Sequence, residues 1–358
     1  VRRAGKTTLC RGLEGVEYLD CELPRVRRMM EDPESFLADR RGRRIVLDEV
    51  HRLDRPAELL KVAADHYPAV RVLATGSSTL GASAKFKDTL AGRKRELWLT
   101  PMMSRDLEDF REPDLKRRLL FGGLPSFFLS EKLPEKDFQE WIDAYWAKDI
   151  QELFRLERRH SFQKFLELLM AQSGGIFEAT RFAGPCEASR QTISNYLKAL
   201  EATFVVHVIR PFSSRLATEI VAAPKVYGFD TGFVCAFKGW HELRSEDLGL
   251  LWEHYVLNEI HARLQLRDVR YWRTKQRQEV DFVLARRGSP PVAIECKWSA
   301  NDLDLSNLEA FARQYAKARC YVVSQDADQS FRRRHGELQV RVVSLSGLLE
   351  DLSDDLGP

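Results

Sequence analysis

Gly5-Lys6-Thr7-Thr8 brings together the residue types that hold phosphate. They fit the second half of the pattern G-x-x-x-x-G-K-[ST], a loop whose backbone N–H groups wrap phosphate oxygens. Gly5 permits that backbone and its close approach to a ligand. Lys6 would reach the β and γ phosphates, and the Thr7 hydroxyl would ligate Mg²⁺. Thr8 follows in the first turn of a helix whose positive end faces the anion. The first glycine of the pattern would fall one position before Val1. On these residues alone a basic, frayed terminus is an equal reading.

Asp48-Glu49 separates the two readings. Residues 44–51, Arg-Ile-Val-Leu-Asp-Glu-Val-His, form a short apolar run ending in two acids. Such a run is a strand buried on both faces of a parallel sheet. Its acids lie at the carboxyl end, where open α/β sheets put ligands. Asp48 would support the Mg²⁺ water shell, and Glu49 would orient and activate the attacking water. Next, Val70-Arg71-Val72-Leu73-Ala74 reads as another buried strand. Thr75 at its end is the first candidate to sense the γ phosphate, and Ser77 the second.

A second group of acids lies far along the chain. Residues 245–265 read as a helix with an apolar stripe through Leu248, Leu251, Trp252 and Tyr255. At about 100° per residue Glu259 falls near the middle of that stripe. A buried carboxylate there needs a basic partner or a metal. Residues 278–284 and 292–297 alternate as strands, with residues 287–291, Arg-Gly-Ser-Pro-Pro, as the turn. Asp281, Glu295 and Lys297 would then share one face of a hairpin beneath the helix. This resembles the PD-(D/E)XK nuclease core. The resemblance implies that Glu259, Asp281 and Glu295 hold Mg²⁺ while Lys297 stabilises charge or positions water. A salt-bridged strand pair without catalysis is the alternative.

These groups need rigid elements to position them, and the composition supplies them. The chain has 358 residues, 44% hydrophobic and 30% charged, enough for two or three globular domains. Its net charge of +3 makes no strong electrostatic case for nucleic acid. The arginine runs at 40–44 and 155–159 read as solvated faces. Cys10, Cys21, Cys186, Cys235, Cys296 and Cys320 have neither metal-site spacing nor a disulfide framework, which suits a reducing cytoplasm. No apolar run reaches the ~20 residues of a membrane span.

Strand and helix alternate through the first hundred residues, with a last strand expected at 96–99. The strand that should lead into the phosphate loop is not in the chain. Helices follow at 104–110, 115–121 and 136–153, with Gly122-Gly123-Leu124-Pro125 as a break. The aromatics Phe138, Trp141 and Tyr145 read as core. Residues 162–171, 189–201 and 205–209 give helix, polar-fronted helix and strand, a winged helix-turn-helix outline. Its second helix starts at the N-cap Ser189 and would turn Arg190, Gln191, Thr192 and Asn195 to a DNA groove. Residues 224–232, Pro-Lys-Val-Tyr-Gly-Phe-Asp-Thr-Gly, read as a strand ending in a turn.

Ala4-Gly5-Lys6-Thr7-Thr8, Leu47-Asp48-Glu49-Val50, Ala74-Thr75-Gly76-Ser77-Ser78 and Leu90-Ala91-Gly92-Arg93 together resemble a family of bacterial and archaeal AAA-type ATPases with a C-terminal domain of unknown function. The resemblance implies an α/β fold in several parts. A P-loop NTPase core lacking its first strand would span 1–100, and a helical segment 101–155. A winged-helix-like unit would span 156–215, and a restriction-endonuclease-like domain 216–358. It implies an ATP-binding, Mg²⁺-dependent ATPase whose nuclease-like C-terminal domain acts on or binds DNA, or an ATP-driven switch whose C-terminal half binds a protein partner or DNA without cleavage. It also makes Arg93 a candidate to complete a neighbouring copy's site in a homo-oligomer.

Overall fold

The computed structural model describes residues 3–76, 90–154, 156, 158–213, 223–286, 288–301 and 303–356. Ser77, Ser78, Val1, Arg2, Arg155 and Arg287 lie outside the described residues.

Three short strands build the N-terminal sheet: β1 (Glu17–Asp20), β2 (Arg44–Asp48) and β3 (Arg71–Ala74). They pair in parallel in that order, with Leu19 beside Leu47 and Leu47 beside Ala74. Ile45, Val46 and Leu47 are apolar on both faces and fully buried, as a central parallel strand requires. The helices are α1 (Lys6–Arg11), α2 (Pro24–Met29), α3 (Pro33–Ala38) and α4 (Pro56–His66). A proline opens each of the last three, where a missing N–H costs nothing. Asp32 caps α3 through the N–H groups of Glu34 and Ser35.

Three expectations need correction here. Among the described residues β3 is an edge strand rather than a buried one, with Arg71 and Leu73 exposed. Its apolar sequence resembles that of β2, and only the neighbours differ. Residues 96–99 form no strand. The Trp98 backbone instead pairs with the Gln265 side chain, accepting from Nε2 at 3.2 Å and donating to Oε1 at 2.7 Å. Arg40 is not solvated. It is buried over the Phe36 ring and bonded to Glu17 at 2.9 Å.

The middle of the chain is helical: α5 (Ser104–Asp109), α6 (Leu115–Phe121), α7 (Pro125–Phe128), α8 (Glu135–Tyr145), a π turn (Trp146–Ile150) and α9 (Gln151–Phe154). Phe138, Trp141 and Tyr145 are buried as expected, and Trp141 stacks on Phe229. Then follow α10 (Arg159–Ala171), β4 (Gly175–Ile176), α11 (Ala179–Ala183), α12 (Arg190–Ala202), β5 (Val206–Pro211), β6 (Lys225–Gly228) and α13 (Thr231–Lys238). α12 buries Ile193, Tyr196, Leu197 and Leu200 and leaves Arg190, Gln191 and Asn195 exposed.

The last part holds α14 (Ser245–Leu264), β7 (Val269–Arg273), β8 (Glu279–Leu284), β9 (Val292–Lys297), α15 (Ser306–Gln314), β10 (Arg319–Ser324), β11 (Phe331–His335), β12 (Leu338–Val343) and α16 (Leu345–Leu356). Among the described residues one mixed sheet runs β11-β12-β10-β9-β8-β7-β5-β6-β4. β5 bridges two segments of the chain, antiparallel to β6 and parallel to β7. The expected boundary at 215/216 therefore falls between paired strands. No helix among the described residues is long and apolar enough to cross a membrane.

Candidate functional site

Asp48 ends β2 at the centre of the small sheet, and three hydroxyls converge on it. Thr7 Oγ1, in the first turn of α1, donates to Oδ2 at 2.8 Å. The Tyr18 phenol, from β1, donates to the same oxygen at 2.6 Å. Thr75 Oγ1, just past β3, donates to Oδ1. Burial pulls the Asp48 carboxyl upward. The hydroxyls of Thr75, Tyr18 and Thr7 and the charge of Lys6 outweigh it, leaving the group below its ordinary value. The acid is therefore ionised, held by hydroxyls from three separate segments.

The neighbouring residues are arranged around that carboxylate. Gly5 caps α1 with φ 90°, a left-handed conformation that glycine adopts at little cost. Lys6 is half-buried and Thr8 exposed. Glu49 sits at φ 54°, an uncommon conformation for a side-chain-bearing residue. Its N–H donates to Thr75 Oγ1 at 3.3 Å, and its carboxylate lies 3.2 Å from His51 Nδ1. Arg93 is apart from this group and pairs with Asp65 on α4 at 2.6 Å.

A carboxylate beside a hydroxyl from the loop-to-helix junction is a hard-oxygen donor set. Lys6 adds the positive charge that phosphate needs. The residues present thus fit ATP with Mg²⁺: Gly5, Lys6, Thr7 and Thr8 on the phosphate side, Thr7 and Asp48 on the metal side. Tyr18 was missed in the sequence, because nothing in a four-residue strand marks which phenol meets the next strand's acid.

The second acidic group assembles differently from its expected form. The hairpin is present, with Phe282 opposite Ile294. Continuing that register by one residue sets Asp281 opposite Glu295, and the Cys296 N–H donates to Asp281 Oδ2 at 2.8 Å. Lys297 Nζ lies 3.4 Å from Glu295 Oε1, while Glu295 Oε2 is buried without a hydrogen-bond partner. Glu259 is not part of this group. It is fully buried elsewhere on α14 and accepts the Ser104 N–H at 2.5 Å. The helix acid that faces Asp281 and Glu295 electrostatically is Glu253. α14 is buried on nearly every face, so burial alone cannot pick out the face toward the strands.

Burial, then each other's charge and Glu253, push the Asp281 carboxyl well above the usual range. Burial also raises Glu295, to about 7, against the pull of Lys297. Lys225 of β6 enters the same cluster: its Nζ is 3.4 Å from Glu253 and 2.5 Å from Glu279. Among the described residues no three His, Cys, Asp or Glu side chains gather as a metal-holding group. Glu259, Asp281 and Glu295 therefore do not fit a shared Mg²⁺.

Three families match successive parts of the chain. Residues 1–108 match one described as AAA domain. Residues 112–244 match a Domain of unknown function (DUF8612), and residues 248–346 another (DUF4143). Among known proteins, the uncharacterized proteins Rv2008c of Mycobacterium tuberculosis and Mb2031c of Mycobacterium bovis are each similar. Each is 28% identical over 331 residues, covering 86% of this chain and 74% of theirs. The chain thus matches an AAA-type domain over the part that holds Asp48, followed by two domains of unknown function.

Proposed function

We propose that this protein hydrolyses ATP at the Asp48 site and uses a DNA-binding C-terminal half that does not cut. The supporting observation is the convergence of Thr7 and Thr75 on the ionised Asp48 at the ends of adjacent parallel strands. Lys6 and the Gly5 backbone hold the phosphates, with Thr8 beside them. Thr7 and Asp48 would hold Mg²⁺, which when bound would supply positive charge against the phosphates. Glu49 orients water and takes its proton as the water oxygen bonds to the γ phosphorus. The bond to the bridging oxygen breaks, and ADP and phosphate leave. Thr75 senses the γ phosphate by turning its hydroxyl proton from Asp48 to a phosphate oxygen. Arg93 serves a neighbouring copy in a homo-oligomer. The six cysteines are free and buried, which suits a cytoplasmic setting. Steady-state phosphate release tests the reading. Lys6→Ala is expected to lose turnover at least about 100-fold, and Glu49→Gln similarly while still binding ATP. Equal turnover by the wild type and Lys6→Ala would overturn it.

For the C-terminal half, the order α10, α11, α12 and the antiparallel strands β4, β6 and β5 support a winged-helix reading. Arg190, Gln191, Thr192 and Asn195 front α12, capped by Ser189 Oγ at 3.1 Å. A cutting reading has one observation in its favour, the adjacency of Asp281, Glu295 and Lys297. A gel assay separates the two. Binding lost in Arg190→Ala, with no Mg²⁺-dependent nicking, is expected. Nicking abolished by both Asp281→Ala and Lys297→Ala would favour cutting.

A further inference from the structure

Glu279, Asp281 and Glu295 crowd the strand face under α14, and Glu253 of α14 itself joins them. In the nuclease pattern that the sequence resembles, a divalent cation would offset such a cluster. Here the protein supplies a cation of its own. Lys225 Nζ lies 2.5 Å from Glu279 Oε1 and 3.4 Å from Glu253 Oε1, and its charge also reaches Asp281 and Glu295.

The position is built rather than incidental. The Lys225 side chain is only 7% exposed, although it starts from β6, three strands away from β8 in the sheet. The ammonium lies within 5.8 Å of the ring centroids of both Tyr227 and Tyr271. Nζ donates to the Tyr227 phenol at 3.3 Å, and that phenol donates onward to Glu253 Oε1 at 2.7 Å. A buried ammonium is costly unless acids surround it, and buried acids are costly without a cation. Each therefore requires the other.

Charge balance leads the same way. Lys225 faces Glu253 and Glu279, Arg273 pairs with Glu279 at 3.1 Å, and Lys297 pairs with Glu295 at 3.4 Å. Three cations thus already match four carboxyl groups, one of which, Asp281, burial holds toward its neutral form. A divalent ion added to this set would leave excess positive charge in a buried place unless Lys225 moved out. It also needs several oxygens converging on one point, and with the Lys225 ammonium among them the acid side chains of the described residues do not converge in that way.

We propose that Lys225 is a built-in counter-cation standing where a divalent metal would otherwise sit, so that the C-terminal half keeps its acidic centre intact without metal. The proposal rests on the nuclease-like reading of this half and explains why such a site would bind without cutting. It also gives Lys225 and Tyr227, within residues 224–232, a role that their sequence does not reveal.

The test is a titration of the nucleotide-free full chain with Mn²⁺, following free Mn²⁺ by electron paramagnetic resonance. Wild type is expected to hold no Mn²⁺ that Asp281→Asn removes, up to about 1 mM free ion. Lys225→Met is expected to gain one equivalent at least about tenfold tighter, lost again in Lys225→Met/Asp281→Asn. Lys225→Gln, which keeps the stem's packing and a donor, carries the same expectation if Lys225→Met lacks a native melting transition. Wild-type binding of one equivalent that Asp281→Asn abolishes would overturn the proposal. So would a folded Lys225 variant that gains no site. No nucleic acid is present, so the outcome is independent of whether this half binds DNA.

Discussion

Asp48 and Glu295 show how buried carboxyls can be shifted in opposite directions. At Asp48, three hydroxyl donors and Lys6 reverse the cost of burial. At Glu295, Lys297 is the main counterweight, and burial wins. The consequence for stability follows from linkage. Glu295 ionises in the unfolded chain near its ordinary 4.5 but in the fold only near 7. Stability from this group is therefore greatest below about 4.5 and falls as pH rises toward 7. Glu295→Gln removes that loss. Urea melts are expected to show the variant more stable than wild type by on the order of 2 kcal/mol at pH 8, with most of the difference gone near pH 4. A difference independent of pH would show that Glu295 is not the group that titrates.

At the scale of elements, the join between the helical middle and the C-terminal half is a buried ion pair. Arg118 of α6 is 1% exposed and lies 3.9 Å from Asp230, the cap of α13. Asp230 also accepts the Gly123 N–H at 2.6 Å, and a Cβ on Gly122 would lie 2.1 Å from Asp230 Oδ1. Asp230→Ala leaves Arg118 buried without its acid. A loss of about 3–5 kcal/mol is expected in chemical melts, and a loss under about 1 kcal/mol would show the join to be incidental. The Gly122-Gly123 break was legible in the sequence, but its reason was not, because the reason lies more than a hundred residues away. The same contrast holds for the strands. β2, β8 and β9 were readable from apolar runs and alternation, which are local. The edge position of β3 among the described residues and the docking of residues 96–99 on Gln265 depend on neighbours. Choosing Glu259 over Glu253 failed for a related reason: on a helix buried all round, the stripe through Leu248, Leu251, Trp252 and Tyr255 does not single out the face toward the strands. Lys225 was unreadable because strand periodicity does not say how far a long side chain reaches.

At the scale of the molecule, the phosphate-loop residues touch the helical middle directly. Ala4 packs in one core with Leu124 and Phe127, and a Cβ on Gly5 would lie 3.9 Å from Pro125. Pro125 follows the glycines that Asp230 holds, so the Asp48 site and the C-terminal half are joined by a short, packed path. That arrangement matters only if Asp48 and Lys6 serve a nucleotide. Calorimetric titration of Mg²⁺-ATP into the protein tests this most directly. One equivalent bound by wild type, dependent on Mg²⁺, and none bound by Lys6→Ala is the predicted result. Equal binding by the two proteins, or no binding by a folded wild type, would contradict it.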